Sequence, residues 1–482
     1  DAQLIKLKFP EQQNAYAHRP EPREVPLDAH PLVREYFARQ IREQEPEAFK
    51  TAHSRLFEHL CRIVPHRPDS LQALQPLYQA VRHGCLAKRE QETVEKVYCD
   101  RIQRGTRSGG FYSSRKLGAI GTNLAAIAAF FKQPWTRLST NLTVAYQDWL
   151  LNEAAYYLRA LGRLIEALEP MRVAMERRLA EGDFENAATG AHNLSELEIT
   201  LGKLDDALQH ARSAIAYSDR SKTVLERMYA RVIAADALFQ AGNREEARAL
   251  FEEAEAVQRE SNSQGNQLHS IWGFRFCELL LAPAERAPWR EQIFGGTNLA
   301  SPSLNPEAQA RAGDTVEEAL SPIFGVLEQA ERRAMETLNW QSTRSMLLSV
   351  ALDQLTLARV GLYRGALSAN PLNRRDNPNL TLTLENLPKA GEIEFVAKAL
   401  LTAAHWHAIT GDSSTVHRHL NEAQQIAECG PMPLILADVH LHRARLFHDR
   451  GELAKAKTLI ERYRYGRRLQ ELVDAETASR NW

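Results

Sequence analysis

The sequence predicts an all-α fold, a right-handed α-solenoid in which helical hairpins stack into a superhelix. Three observations predict it. First, a helix-pair pattern recurs between Asp148 and Glu255, and its turns place Gly162, Gly202 and Gly242 at a fixed interval of 40 residues. Second, small residues keep step with those turns: Ala167, Ala207 and Ala247, then Ala174, Ala214 and Ala254, with Ala155, Ser195 and Ala235 in the preceding helix. Third, Ala, Leu, Arg, Glu and Gln dominate the composition, which favours helix nearly throughout. Glycine takes the left-handed position that stops a helix, and alanine lets neighbouring helices close to about 8–10 Å. One such hairpin cannot bury its apolar face alone, so stacked neighbours must supply the core.

These glycine and alanine positions resemble the signature of the tetratricopeptide repeat, carried by the runs NEAAYYLRALGRLIEALEPMRVA, HNLSELEITLGKLDDALQHARSA and ADALFQAGNREEARALFEEA. A solenoid has no single core to outgrow, so the 482 residues do not count domains. The 60 basic and 61 acidic residues leave a net charge of −1, so no overall field draws nucleic acid or anionic lipid. The five cysteines, Cys61, Cys85, Cys99, Cys277 and Cys429, are scattered without C-x-x-C spacing, as expected of reduced thiols. The longest apolar run, near residues 125–131, is far short of the ~20 residues that span a bilayer, and no basic-then-apolar leader opens the chain. A cytoplasmic protein with no membrane partner is expected. The chain opens on Asp1 rather than Met, as a portion of something longer would.

Residues 1–26, with Pro10, Pro20, Pro22 and Pro26, read as an irregular lead-in. Asp28 is then placed to cap a helical stretch in which Leu32, Val33, Tyr36, Phe37 and Ile41, then Ala52, Leu56, Leu60 and Ile63, keep helical spacing. Residues 71–98 read as an irregular helix pair broken at His83-Gly84-Cys85. A basic, glycine-bearing loop follows at 101–115, then an apolar helix over 117–131 with a break at Pro134. Past the three clear repeats, residues 267–282 continue one more first helix. Two insertions rich in Pro, Gly, Asn and Ser, 283–306 and 368–388, read as exposed loops. Between them Ala358 and Gly365 hold the small-residue and turn positions. Later, Gly411 and Gly451 restore the 40-residue interval, with Leu453 and Ala456 in register behind. The expected division is a lead-in with winged-helix-like terminal helices at 1–65, a first array at 66–282, a loop insertion at 283–307, and a second array with a C-terminal cap at 308–482.

The stretch Asp28-Ala-His-Pro-Leu-Val-Arg-Glu-Tyr-Phe resembles the helix that ends the winged-helix module of STAND-class NTPases, the NACHT and NB-ARC switch proteins, where it leads into a repeat array. With the runs WLLNEAAYYLRALGRLIEALEPM, NLSELEITLG and PMPLILADVHLHRARLF, the chain is similar to the C-terminal sensor region of bacterial NACHT-type proteins. The resemblance implies a sensor or scaffold role, often in antiviral (antiphage) defence, with an NTPase or effector module on the same or another chain as partner.

Motifs for chemistry are sparse. There is no G-x-x-x-x-G-K-[ST] phosphate loop, no G-x-S-x-G elbow and no H-E-x-x-H helix. His83 and Cys85, two apart on a helix, point to different faces and make a poor dyad. The late histidines His405, His407, His417, His419, His440, His442 and His448 invite zinc. The close pairs among them are spaced i, i+2, so a shared site would take one member of each, and Cys429 is the sole nearby thiol. No catalytic residue, cofactor or metal is therefore expected, and the protein is read as no enzyme. The basic tail, Lys455, Lys457, Arg462, Arg464, Arg467 and Arg468 with Tyr463 and Tyr465, has the composition of a single-strand nucleic-acid site, but reads first as the solvated face of a capping helix.

The groove remains. The first helix of each hairpin lines the concave side, and the inward positions of the clear repeats are Asn152, Tyr156 and Arg159; His192, Asn193 and Glu196; Tyr229, Asp236 and Gln240. Two readings stand side by side: a partner-binding groove for a protein or peptide ligand, or a merely solvated face. The function expected is a protein-protein interaction module of the sensor or scaffold kind. The alternative is a nucleic-acid-binding or transcription-regulatory protein, or the regulatory part of an enzyme whose catalytic domain lies off this chain.

Overall fold

The computed structural model describes residues 5–7, 27–105, 111–221, 223–260, 267–294, 306–341, 347–367, 377–390 and 392–482. They fall into two compact units, Asp1–Leu161 and Gly162–Trp482. In unit 1 a short antiparallel pair, β1 (Ile5–Leu7) and β2 (Leu27–Ala29), precedes α1 (Pro31–Gln44) and α2 (Pro46–Arg62). His30, not Asp28, caps α1: its Nδ1 accepts the Leu32 N–H at 3.3 Å, while Asp28 is paired with Lys6 in the strands.

Ser70 caps α3 (Leu71–Leu86), which runs straight through the expected break at His83–Cys85 and turns at Lys88 with φ 61°. Gly84 serves close packing instead, since a Cβ there would lie 2.0 Å from the Thr93 hydroxyl. Next come α4 (Glu90–Glu92), continued as a π-helix over Thr93–Ile102, then α5 (Tyr112–Arg115) and α6 (Ile120–Ile127). A β3 (Phe131–Gln133) to β4 (Arg137–Leu138) hairpin turns the chain around Pro134 into α7 (Val144–Ala160). The expected basic loop is partly structural: Arg101 donates to the carbonyls of Cys61, Val64, Pro65 and His66 at 2.8–3.2 Å, and residues 106–110 lie outside the described residues.

Unit 2 is an all-α solenoid. It runs α8 (Leu164–Ala180), α9 (Phe184–Thr200), α10 (Leu204–Ser221), α11 (Val224–Gln240), α12 (Arg244–Glu260), α13 (Ser270–Phe294), α14 (Pro306–Gln341) and α15 (Leu347–Leu367). It continues with α16 (Pro378–Ala390), α17 (Ile393–Thr410), α18 (Ser413–Cys429), α19 (Pro433–Phe447), α20 (Arg450–Arg462) and, after a 3-10 turn at Gly466–Arg468, α21 (Leu469–Ala478). The register residues behave as their chemistry dictates. Gly162, Gly202 and Gly242 have φ of 71°, 73° and 95°. At Gly202 the Lys203 N–H reaches back to the Glu198 carbonyl at 2.8 Å, a Schellman closure. Ala167, Ala207, Ala247, Ala214 and Ala254 are wholly buried. Gly182 also turns left-handed, at φ 77°, so this part of the array advances by 17-residue helices and three-residue turns. That makes its hairpin longer than the roughly 34 residues usual for the repeat.

Several sequence expectations fail beyond the clear repeats. Residues 283–294 are not loop but the second half of α13, with Ala284 and Trp289 buried, and 378–388 belong to α16, where Leu387 is buried. The remainders of both expected insertions, 295–305 and 368–376, lie outside the described residues. Gly365 is buried inside α15 and turns nothing. Gly451 sits in the first turn of α20, and His448 takes the left-handed position that ends α19, with φ 51°.

The odd-numbered helices from α9 to α19 neighbour one another in sequence along the inner side, and the even-numbered ones back them. The array returns on itself: Ile199, Leu204 and Ala207 share a buried cluster with Leu434, Leu441 and Leu453. A Cβ on Gly202 would meet Pro433 and Tyr463 at 2.7 Å.

Candidate functional site

Helical spacing decides which side chains meet inside unit 2. On α13, Glu278 and Glu285 are two turns apart on one face, and on α17 Glu394, Lys398, Thr402 and His405 form one stripe, as do Asp438, His442 and Arg445 on α19. With Asp236 and Gln240 of α11, Arg359 and Tyr363 of α15, and Tyr465, Arg467 and Arg468 from the C-terminal segment, most of these line a polar cavity of about 50 Å³.

The charges are paired in a chain. Glu278 accepts from Arg359 at 3.0 Å and Lys398 at 3.1 Å, and faces Arg467 at 3.5 Å. Glu285 accepts from Arg467 at 3.1 Å and Arg468 at 2.9 Å. Arg468 also grips Asp438 at two points, 2.8 and 3.1 Å, and reaches Glu471 at 2.5 Å, whose other oxygen accepts from Arg445 at 2.6 Å. Burial alone would push these carboxyls up, but the surrounding cations outweigh it: Lys398, Arg467 and Arg359 hold Glu278 far below the ordinary carboxylate range, and Arg468 and Arg467 hold Glu285 well below it. Lys398 keeps its proton because Glu278 and Glu394 offset its burial.

Beside this network Trp289 stacks on His405 with centroids 3.8 Å apart, and Arg445 lies 3.9 Å over the indole. Burial pushes His442 down to about 4 and His405 well below its ordinary value, so both rings are neutral at neutral pH. The His442 Nδ1 bonds the Asp438 carbonyl at 2.8 Å, whereas the buried His405 Nε2 has no hydrogen-bond partner among the described residues. The other late histidines disperse: His440 pairs with Glu452 at 2.6 Å, His407 stacks on His419, His417 on Phe447, and His448 on Trp482. Among the described residues no group of three or more His, Cys, Asp or Glu side chains is placed to hold a metal ion.

The residues expected in the groove separate. Asn152, Tyr156 and Arg159 stand on α7 in unit 1, the first two exposed. In unit 2, His192 meets Tyr229 edge-on at 6.1 Å and Tyr229 stacks on Trp272 at 4.4 Å, while Asn193 is half-buried nearby on the same helix. Glu196 and Asp236 both engage Arg275, at 2.6 and 3.2 Å, and Asp236 accepts from Gln240 at 2.7 Å. Of the nine, Asp236 and Gln240 line the cavity.

Sequence reasoning missed the densest part, Glu278, Glu285, Arg359, Lys398 and Asp438. A signal existed in the seven-residue spacing of Glu278 and Glu285, but the second fell in the stretch read as loop. The basic tail also differs from expectation: Arg467 and Arg468 are each 4% exposed, so they are inside the solenoid and not a solvated basic face. That removes the two from any nucleic-acid surface in this conformation.

The tetratricopeptide repeat family matches at residues 228–253 and 437–462, which are α11 with the start of α12, and α19 with α20. The chain therefore carries tetratricopeptide repeats, an architecture whose stacked hairpins present extended inner surfaces to protein partners. No curated protein matches the sequence. Among solved structures, a Rap protein complexed with Competence and Sporulation Factor is 12% identical, with 92% of this chain and 96% of that chain covered and a TM-score of 0.41. Among the described residues no helix is long and apolar enough to cross a membrane.

Proposed function

We propose that this chain is a non-enzymatic recognition module, the sensor or scaffold part of a STAND-type signalling or antiphage defence protein, and that it holds a protein or peptide on the inner side of unit 2. The observation that carries the reading is the convergence of six inner helices on one polar cavity, each with a hydrogen-bonding or charged group. Such a surface offers directional contacts along an extended partner. The sensor assignment is supported by α1, whose Leu32, Tyr36, Phe37 and Ile41 are 44–68% exposed, an apolar stripe suited to a neighbouring NTPase or effector module. The test is site-specific photocrosslinking in phage-challenged cells, with the crosslinker at inner positions Thr200 and Glu394 and at the exposed Leu225 as control. A partner should crosslink from the inner positions. Crosslinks from Leu225 alone, or from none of the three, would sink the reading.

A further inference from the structure

We propose that the inner side of unit 2 is an acceptor for a peptide segment bearing two adjacent arginines, and that Arg467 and Arg468 of this chain occupy it in cis. The proposal rests on the recognition reading above and names its ligand class. Among the described residues, the ion pairs of Glu285 run to Arg467 and Arg468 alone, and Asp438 pairs with Arg468 alone. Glu278, by contrast, has Arg359 and Lys398 from the inner helices themselves. The helices thus present two carboxylates, Asp438 buried and Glu285 nearly so, whose cations come from a segment outside the inner layer.

Arginine is specified over lysine. Asp438 takes Arg468 at two points, a match to the planar guanidinium fork, and the Arg467 Cζ stands 4.5 Å over the Phe239 ring centroid. The occupying segment is not a continuation of α20: Arg464 turns left-handed at φ 50°, and Gly466 presses on the end of α11 so closely that a Cβ would sit 1.9 Å from the Ala241 carbonyl oxygen. It lies across the turns that close α9 and α11, held at its edge by an exposed Arg464–Asp205 pair at 2.8 Å. The cis fit is also incomplete. Among the described residues the His405 Nε2 has no hydrogen-bond partner, although the ring lines the cavity and is only 2% exposed. A segment entering in trans can set a polar group against this atom.

The test uses the full chain and a fluorescent peptide with the sequence of residues 461–470, ERYRYGRRLQ, alongside versions with Lys-Lys or Ala-Ala in place of Arg-Arg. Anisotropy should show binding of the Arg-Arg peptide, at least tenfold weaker binding of the Lys-Lys peptide, and none of the Ala-Ala peptide. Gly466→Ala, which dislodges the segment but keeps its charges, should bind the Arg-Arg peptide at least tenfold more tightly. Hydrogen exchange at residues 463–474 of the unsubstituted chain should accelerate as the peptide saturates, and this readout decides the matter even if Gly466→Ala fails to fold. Equal binding of all three peptides, no binding, or unchanged protection of 463–474 at saturation overturns the proposal. A partner crosslinked from Thr200 or Glu394 that the Arg-Arg peptide does not displace refutes the arginine assignment and leaves recognition standing.

Discussion

Replacing Arg468 by methionine tests the buried network where it is most concentrated. The side chain is 4% exposed and serves three carboxylates. Two of them keep a second cation: Glu285 retains Arg467 at 3.1 Å and Glu471 retains Arg445 at 2.6 Å. Among the described residues Asp438 keeps only the Tyr465 hydroxyl, at 3.3 Å. The dominant cost is therefore one buried carboxylate left without its cation, about 3–5 kcal/mol. At roughly 2–4 °C per kcal/mol for a large domain, that is a fall of roughly 6–20 °C in the melting midpoint at pH 7. The pH dependence has a definite sign. In the native network the depressed carboxyls of Glu285 and Glu471 contribute stability above the unfolded carboxylate value of about 4, and lose it as pH falls through their lower folded values. In Arg468→Met the penalty for stranding the Asp438 carboxylate belongs to its charged form alone, so it lessens as acid protonates the group. The gap between the two proteins, followed by circular dichroism melts from pH 7 to pH 4.5, should narrow. Adding Asp438→Asn should recover much of the loss, because removing both partners is cheaper than stranding one. A gap under about 1 kcal/mol at pH 7, a gap indifferent to pH, or simple additivity of the two substitutions would refute the reasoning.

Ala207 and Ala247 are wholly buried between helices, so Ala207→Phe or Ala247→Phe should lower stability by roughly 1–3 kcal/mol in denaturant titration. Gly182→Ala and Gly202→Ala both strain a left-handed turn, but a Cβ at 182 meets open space whereas one at 202 meets Pro433 and Tyr463 at 2.7 Å; melting should fall further for Gly202→Ala. Burial pushes the Asp353 carboxyl up to about 7, so its ionisation opposes folding increasingly as pH rises from about 4 through 7. Asp353→Asn should accordingly raise the melting midpoint at pH 8 and change it little at pH 4. Limited proteolysis read by mass spectrometry should spare residues 283–294 and 378–390, whose helices bury Trp289 and Leu387.

What was legible in the sequence is what local chemistry encodes. A left-handed turn needs glycine and a close helix contact needs alanine, so Gly162, Gly202, Gly242 and their alanines announced the hairpins and their stacking. The errors arose where tertiary packing overrules a local signal. Pro283 and Pro288 argue against a helix at about 3 kcal/mol each, yet α13 continues to Phe294 because Ala284 and Trp289 are buried against their neighbours. Gly365 and Gly451 matched the turn spacing, but the αL position near the second fell to His448 instead. Of the candidate site, Asp236 and Gln240 were legible because they stand in a repeat whose register was clear. Glu285 was lost with the misread loop. Arg467 and Arg468 were misread for a different reason: their partners Glu278 and Glu285 lie 182–189 residues away, so no local pattern distinguishes a buried arginine here from a solvated one.

That separation also bears on what the ion pairs are for. In an array where each hairpin touches only its neighbours, apolar stacking fixes adjacent contacts but says little about how the last helices meet the first. The pairs from Arg467 and Arg468 to α13, and from Arg464 to Asp205, are directional contacts between parts of the chain far apart in sequence, and they exist only at one register of closure. Buried charges are poor sources of net stability, yet a wrong register would strand Glu285 and Asp438 without cations, which is far costlier than a misplaced leucine. Closure and recognition then draw on the same two carboxylates. A ligand that takes them must release the segment around Gly466, and α21 with it loses the anchor that Glu471 and Asp474 provide to Arg445 and Arg286. By linkage, any contact that tightens α21 on the inner helices weakens the ligand by the same factor, and any ligand that binds there loosens the C-terminal end of the array.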